Sequence, residues 1–202
     1  AAGAAPAAGR HFGVLLLALL GLATSAVALL MALGPTQPAS SHGDTVILSC
    51  DVTGSGGDLA DSRGIRFTVS ESFVAVEVRM AASVAGGYSF NAELRRSTGF
   101  TAPIESSVPM SPSVPALSAG TPYQVVHIDF PAPIGVTGTE TFTLKFSGIT
   151  GQGFLYFEVT GIGNFPCPGV EETDENSVAN PTERSDPAGF KVLALTGGSA
   201  VV

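Results

Sequence analysis

The sequence predicts an all-β domain, a two-sheet antiparallel β-sandwich, preceded by one N-terminal apolar helix. Three observations support this prediction. Of 202 residues, 13% are charged, 25 are Gly, 14 are Pro and none is Trp, a composition that favours short strands joined by turns. An uncharged apolar run occupies residues 14–33. Beyond residue 44, apolar and polar side chains alternate repeatedly, as in sheets with one buried face.

The apolar run Val14–Leu33 has the length of a membrane-spanning helix. Its residues, at a rise of 1.5 Å each, span about 30 Å, the thickness of a bilayer core. Arg10 precedes the run and the first acid, Asp44, follows it, so residues 1–13 are predicted to stay cytoplasmic. Because the run is long for a cleaved signal peptide and Pro35 hinders cleavage, a signal-anchor is favoured over a signal peptide. Either reading predicts an extracytoplasmic domain, periplasmic or at the cell surface, that is membrane-anchored or secreted.

The remaining boundaries follow from composition. Residues 34–43 are rich in Pro and Ser and are predicted to be a linker. Residues 44–196 form the predicted sandwich, and residues 197–202 are a short tail.

About eight strands are expected from the alternating pattern and from the turn signals between its segments. They lie at Thr45–Asp51, Ile65–Val69, Val74–Met80, Tyr88–Arg95, Val125–Phe130, Thr141–Phe146, Phe154–Val159 and Gly189–Leu195. This number of short strands favours a jelly-roll-like sandwich. An immunoglobulin-type sandwich is less well supported because there is no Trp to pack between two cysteines.

Two long segments interrupt the pattern. The first, Thr98–Pro122, is rich in Ser and Pro and is predicted to be irregular. The second, Gly161–Pro187, is predicted to be an acidic loop, and loops of this length are usually functional or disordered. Its densest carboxylates are candidate calcium ligands, because Ca²⁺ prefers oxygen donors, although their spacing is not that of an EF-hand. An acidic loop that is merely solvated is the alternative. The candidate ligands are Glu171, Glu172, Asp174 and Glu175.

The chain has two cysteines, Cys50 and Cys167, near the two ends of the predicted domain. Two cysteines alone cannot complete a four-ligand zinc site. In an oxidising compartment the pair predicts one disulfide, and two free thiols are the alternative.

Charge and motifs argue against several functions. The net charge of −8 disfavours nucleic acid as a partner. There is no Gly-x-Ser-x-Gly elbow or phosphate-binding loop, and the chain is predicted not to be an enzyme and to need no cofactor, calcium being the one exception considered. His127 and Asp129 share a strand face, either as a ligand or acid–base pair or simply as a solvated pair.

Three acids, Glu77, Glu93 and Glu158, are predicted to face outward on strands. Two such carboxylates across a cleft are the requirement for glycoside hydrolysis. Because Arg79 and Arg95 are expected on the same face, cross-strand ion pairs are the simpler interpretation.

Three aromatic side chains are also predicted to face outward: Phe73, Phe154 and Tyr156. Exposed aromatic rings can serve as platforms for sugars or as anchors of a protein interface. If the first role applies, Phe154 and Tyr156 should line one exposed groove.

The stretch Tyr123–Phe146, YQVVHIDFPAPIGVTGTETFTLKF, resembles a segment of secreted bacterial jelly-roll modules, including carbohydrate-binding modules. A strand ends at Phe130-Pro131, a short Ile-x-Val segment follows, and then a strand carries Phe142, Leu144 and Phe146 at alternate positions. The preceding GYSFNAELRR is similar to the strand that usually leads into this segment. The resemblance implies the architecture, and such modules often bind glycans and a structural calcium. It covers core positions, so it assigns no binding residue here.

The leading functional prediction is a non-catalytic, membrane-tethered or secreted β-sandwich with a structural or protein-interaction role in an envelope assembly. Its partners would be proteins of the envelope and, through the N-terminal helix, the membrane. A carbohydrate-binding module is the alternative, and a glycoside hydrolase-type enzyme is the less favoured one.

Overall fold

The computed structural model of the protein describes residues 44–118, 122–174 and 184–195. Their regular structure consists of β-strands alone, and none of them belongs to a helix long and apolar enough to cross a membrane. The predicted helix at residues 14–33, the linker at 34–43 and the tail at 197–202 lie outside the described residues.

The first sheet has six strands, and all its ladders are antiparallel. Its strands are β1 Asp44–Cys50, β2 Gly56–Leu59, β4 Phe73–Ala82, β9 Gln124–Ile134, β11 Leu155–Val159 and β13 Phe190–Leu195. Their order is β1-β13-β4-β11-β2, and β9 also pairs with β4.

The second sheet has five antiparallel strands in the order β12-β3-β10-β6-β7. They are β3 Gly64–Val69, β6 Ser89–Arg95, β7 Ser106–Met110, β10 Glu140–Thr150 and β12 Val170–Thr173. A two-stranded ribbon of β5 Gly86–Gly87 and β8 Ser113–Val114 completes the described strands.

One apolar core joins the two larger sheets and confirms the predicted all-β sandwich architecture. At its centre, several phenylalanine rings pack together. The ring centroid of Phe67 of β3 lies 5.7 Å from the ring centroids of both Phe73 of β4 and Phe142 of β10. Phe190 of β13 lies 5.2 Å from Phe67, so strands of both sheets contribute rings. The alternation seen in the sequence produces this core because every second side chain of a strand points to the same face.

The shared edge of β4 is the topological feature that positions the candidate site. One edge of β4 pairs with β9, so β11 and β13 must both use the other edge. There β11 pairs with residues 80–82 and β13 with residues 75–77. Between these two ladders, no strand in the described part of the chain pairs with Val78 or Arg79 on that edge. We call this gap the fork.

All eight predicted strands are present, but the predicted irregular segments contain additional ones. Residues 98–122 include β7 and β8, and the acidic segment 161–187 includes β12, so the prediction of two unstructured loops was wrong. Both β7 and β12 are short edge strands, whose backbone pairing needs little apolar alternation.

The outward orientation predicted for Phe73 was also wrong. Counting alternation back from Val74 places Phe73 on the outer face, but the β4–β9 ladder has a register irregularity between Phe73 and Ala75. A bulge of this kind changes which face a side chain occupies. Phe73 is consequently 0% exposed and packs in the core.

Candidate functional site

The disulfide predicted from the two cysteines is confirmed. Cys50, at the end of β1, is bonded to Cys167, which precedes β12, with a Cα–Cα distance of 5.4 Å. The bond connects an edge of the first sheet to an edge of the second. It is consistent with an oxidising, extracytoplasmic environment.

Two of the predicted calcium ligands, Glu171 and Glu172, are engaged separately by different arginines. Glu171 pairs with Arg66 and Arg184, whereas Glu172 is fully buried and lies 2.9 Å from Arg63. Consecutive side chains of β12 point to opposite faces, so these two carboxylates cannot meet at one ion. Asp174 follows the strand, and Glu175 lies outside the described residues. Within the part of the chain that the structure describes, no cluster of acids, histidines or cysteines is arranged to hold a metal.

The three outward carboxylates predicted from the strands are engaged by bases. Glu158 Oε2 lies 3.2 Å from Arg79 Nη1, and Glu93 Oε2 lies 2.6 Å from Arg95 Nη2. Glu77 Oε1 lies 3.5 Å from His127 Nδ1, and His127 Nε2 lies 3.0 Å from Asp129 Oδ1. Each of these three carboxylates thus has a basic partner, as the ion-pair interpretation of the sequence predicted. Glu158 differs from its prediction in being buried, because the β1–β2 loop closes over it.

Of the predicted aromatic residues, two reach the surface. Phe154 is 60% exposed, and Tyr156 is partly buried. Neither is among the residues that line the cavity described next.

An open cavity of about 870 Å³ lies at the fork, and we call it the fork cavity. Two side chains from adjacent strands of the first sheet, Arg79 of β4 and Glu158 of β11, contribute to its lining. The other lining residues belong to the β1–β2 loop and to the connection between β8 and β9. They are Thr53, Gly54, Ser55, Gly56, Leu117, Ser118, Pro122 and Tyr123.

The Glu158 carboxylate is held on both oxygens. Oε1 accepts a hydrogen bond from the backbone N–H of Gly54 at 2.7 Å, and Oε2 accepts one from Arg79. The same guanidinium nitrogen of Arg79 also donates to the carbonyl of Val52 at 3.4 Å. The cavity therefore contains a fixed, internally neutralised ion pair rather than a single net charge.

Two glycines make this arrangement sterically possible. A Cβ at Gly54 would overlap the Glu158 side chain, and a Cβ at Gly189 would overlap the Arg79 side chain. Gly189 also has φ of +64°, in the left-handed region that favours glycine. Both glycines thus permit the ion pair to sit against the backbone at the fork.

Tyr123 supplies a phenol that stays protonated. Burial, together with the nearby charge of Glu158, raises the pKa of Tyr123 to about 12. At neutral pH the hydroxyl therefore remains a hydrogen-bond donor as well as an acceptor. With the hydroxyls of Thr53 and Ser55, it gives the cavity several neutral polar groups, while Leu117 and Pro122 add apolar surface.

The sequence alone did not reveal this cavity. Arg79 and Glu158 were expected to share a strand face and to take part in cross-strand ion pairs, but they were not matched to each other, and Tyr123 and the Gly-Ser-Gly-Gly loop were not connected with them. The available signal was the combination of a glycine-rich loop with a polar pair on neighbouring strands. Comparisons with protein-family models and with curated proteins find no match for this sequence, so the site's chemistry is the basis for proposing its function.

Proposed function

We propose that this chain is a non-catalytic, extracytoplasmic binding protein whose β-sandwich holds an uncharged glycan in the fork cavity. The observation that carries the proposal is the combination of an open cavity, a neutralised Arg79–Glu158 pair and the protonated phenol of Tyr123. Ligand sites of this size typically join apolar surface to a few fixed polar groups.

The lining matches the chemistry of a sugar ring. A pyranose has one face of C–H groups and an edge of hydroxyls that both donate and accept hydrogen bonds. The Tyr123 ring, Leu117 and Pro122 offer apolar contacts, while Thr53 and Ser55 offer hydroxyls. Because Glu158 neutralises Arg79, neither an acidic nor a basic ligand gains a net electrostatic attraction here.

The same geometry favours binding over glycoside hydrolysis. Hydrolysis canonically uses two carboxyl groups flanking the scissile bond. The residues that line the fork cavity include one carboxylate, Glu158, and both of its oxygens already accept hydrogen bonds from the protein. Anchoring by the apolar N-terminal segment, and kinship with jelly-roll modules, remain predictions within this proposal.

A glycan array tests the proposal with the full chain, using uncharged and acidic oligosaccharides in the presence of calcium. We expect uncharged oligosaccharides to bind. Titration calorimetry on the best of them should show about a tenfold weaker Kd for Tyr123→Phe, which deletes one hydroxyl but keeps the ring.

Phe154→Ala is the matched control, because it removes an exposed aromatic ring outside the cavity and should leave the Kd unchanged. Absence of binding to every oligosaccharide would refute glycan recognition. Binding that is lost in Phe154→Ala but retained in Tyr123→Phe would place the ligand elsewhere.

A second candidate function is protein association within an envelope assembly. Its supporting observation is the apolar surface around Phe154 and Val84, which are 60% and 44% exposed and lie close together because the N–H of Ser83 bonds the carbonyl of Phe154 at 2.8 Å. A photo-crosslinking residue placed at position 154 in the native membrane should yield a discrete adduct. The same residue at Ile162, which is 74% exposed and lies beyond the end of β11, is the control.

A further inference from the structure

The outer edge of β9 is an unpaired strand edge of the first sheet. β9 forms its ladder with β4 through one edge, and no other strand among the described residues pairs with it. β7, the edge strand of the second sheet, lies beside β9 without forming a ladder. An open edge presents backbone N–H and C=O groups to which another strand can bond.

Only half of this edge is protected against pairing. Pro131 and Pro133 lack the N–H that a ladder requires, so they block the C-terminal part of β9. The preceding part, Gln124–Phe130, contains no Pro, Lys or Arg and alternates between core-facing and outward side chains. Val125 within it is 46% exposed. We call Gln124–Phe130 the β9 edge segment.

The opposite edge of the sheet is a poorer template. The sheet ends there in two strands, the four-residue β2 and β1, and the ladder of β1 with β13 has an irregularity between Val46 and Leu48. Bulges at sheet edges twist a strand and discourage further pairing. Head-to-tail pairing of β9 with β1 of another molecule is therefore disfavoured.

We propose that residues 126–130 of the β9 edge segment bind the same residues of a second copy of this chain, antiparallel and centred on Ile128, to join the two first sheets into one. This goes beyond glycan binding and does not depend on it. The two-fold axis through Ile128 places His127 opposite Asp129 of the second copy, and Val126 opposite its Phe130. Core-facing residues thereby stay on one face of the joined sheet, as register requires.

The chemistry of the segment suits self-pairing. An imidazole opposite a carboxylate and a β-branched residue opposite an aromatic ring are both favourable cross-strand pairs, and symmetry supplies each twice. The chain carries a net charge of −8, yet this segment contains one acid, Asp129, and in each copy His127 lies between that acid and Glu77. A closed two-fold arrangement is also the commonest symmetry of protein oligomers.

Sedimentation equilibrium of the full chain in density-matched detergent tests this proposal. We expect a monomer–dimer equilibrium. Val125→Lys, a charge on the edge, and His127→Glu, which faces the partner's acid, should each raise the dimer Kd by roughly tenfold. The double variant His127→Glu, Asp129→Lys restores opposite charges across the two-fold axis and should recover the wild-type Kd.

Val46→Lys on β1 is the matched control, because Val46 is 47% exposed at the opposite edge of the same sheet, and it should leave the Kd unchanged. Circular dichroism confirms that each variant is folded. A chain that stays monomeric at every concentration overturns the proposal. So does a dimer that resists both β9 variants, or one that Val46→Lys dissociates.

Discussion

The buried carboxyl of Glu172 should make the stability of the protein depend on pH. Glu172 lies on β12, and burial, assisted by a hydrogen bond to Asp58 and by the charge of Asp58, raises its pKa from 4.5 to about 8. The charge of Arg63 and the backbone N–H of Ser185 act in the opposite direction. Between pH 4.5 and about pH 8, the folded protein therefore retains a proton on Glu172 that the unfolded chain releases.

The sign of the effect follows from this difference in bound protons. Between about pH 4.5 and pH 8 the folded state binds more protons than the unfolded state, so the free energy of unfolding falls as pH rises. One proton gives a slope of at most about 1.4 kcal/mol per pH unit. Between pH 5 and pH 7 the contribution of Glu172 should thus decrease by roughly 2–3 kcal/mol.

Urea unfolding at several pH values, followed by circular dichroism, measures this contribution. Glu172→Gln keeps the side-chain shape and does not titrate, so its stability relative to the wild type should rise by roughly 2–3 kcal/mol from pH 5 to pH 7. Glu171→Gln, on the opposite face of β12, is the matched control and should keep the wild-type slope. Parallel pH profiles of the wild type and Glu172→Gln would refute the reasoning.

Three further substitutions have definite expected outcomes in urea unfolding. Replacing both Cys50 and Cys167 by Ala, a pair separated by 117 residues, should lower the free energy of unfolding by up to about 5 kcal/mol, and a loss below about 1 kcal/mol would contradict loop-closure stabilisation. Gly189→Ala should cost about 1–2 kcal/mol from its left-handed backbone, and should also weaken glycan binding by displacing Arg79; unchanged binding would argue against that displacement. Phe73→Ala should lower the free energy of unfolding by about 3–5 kcal/mol, because Phe73 is buried in the core. A loss under ~0.5 kcal/mol, as expected for a surface side chain, would contradict that burial.

The sequence predicted the central strands well, since their burial on one face imposes alternation. It missed strands whose stability comes from backbone pairing at an edge. The sequence of β2 is Gly-rich and indicates a turn, and the sequence of β12 is acidic and indicates a solvated loop. Phe73 was misplaced because a single irregularity in the β4–β9 ladder shifts the face of one residue.

The candidate site was harder to predict than the strands. Arg79, Tyr123 and Glu158 come from distant parts of the chain, and their proximity depends on β11 and β13 sharing one edge of β4. The burial of Glu158 depends on a loop whose own conformation has no periodic pattern. The disulfide was predictable because two cysteines allow only one pairing.

The pairing of β1 with β13 has a consequence for how the protein folds. Asp44 is the ladder partner of Leu195, so the first strand of the domain finds its neighbour only when the last strand has been delivered. Contacts this far apart in sequence slow folding, because a long loop must be closed before they can form. If a chain crosses a membrane with its N-terminal end first, β1 stays unpaired until residues 190–195 emerge. For a chain exported as proposed, assembly is therefore expected to follow translocation rather than accompany it.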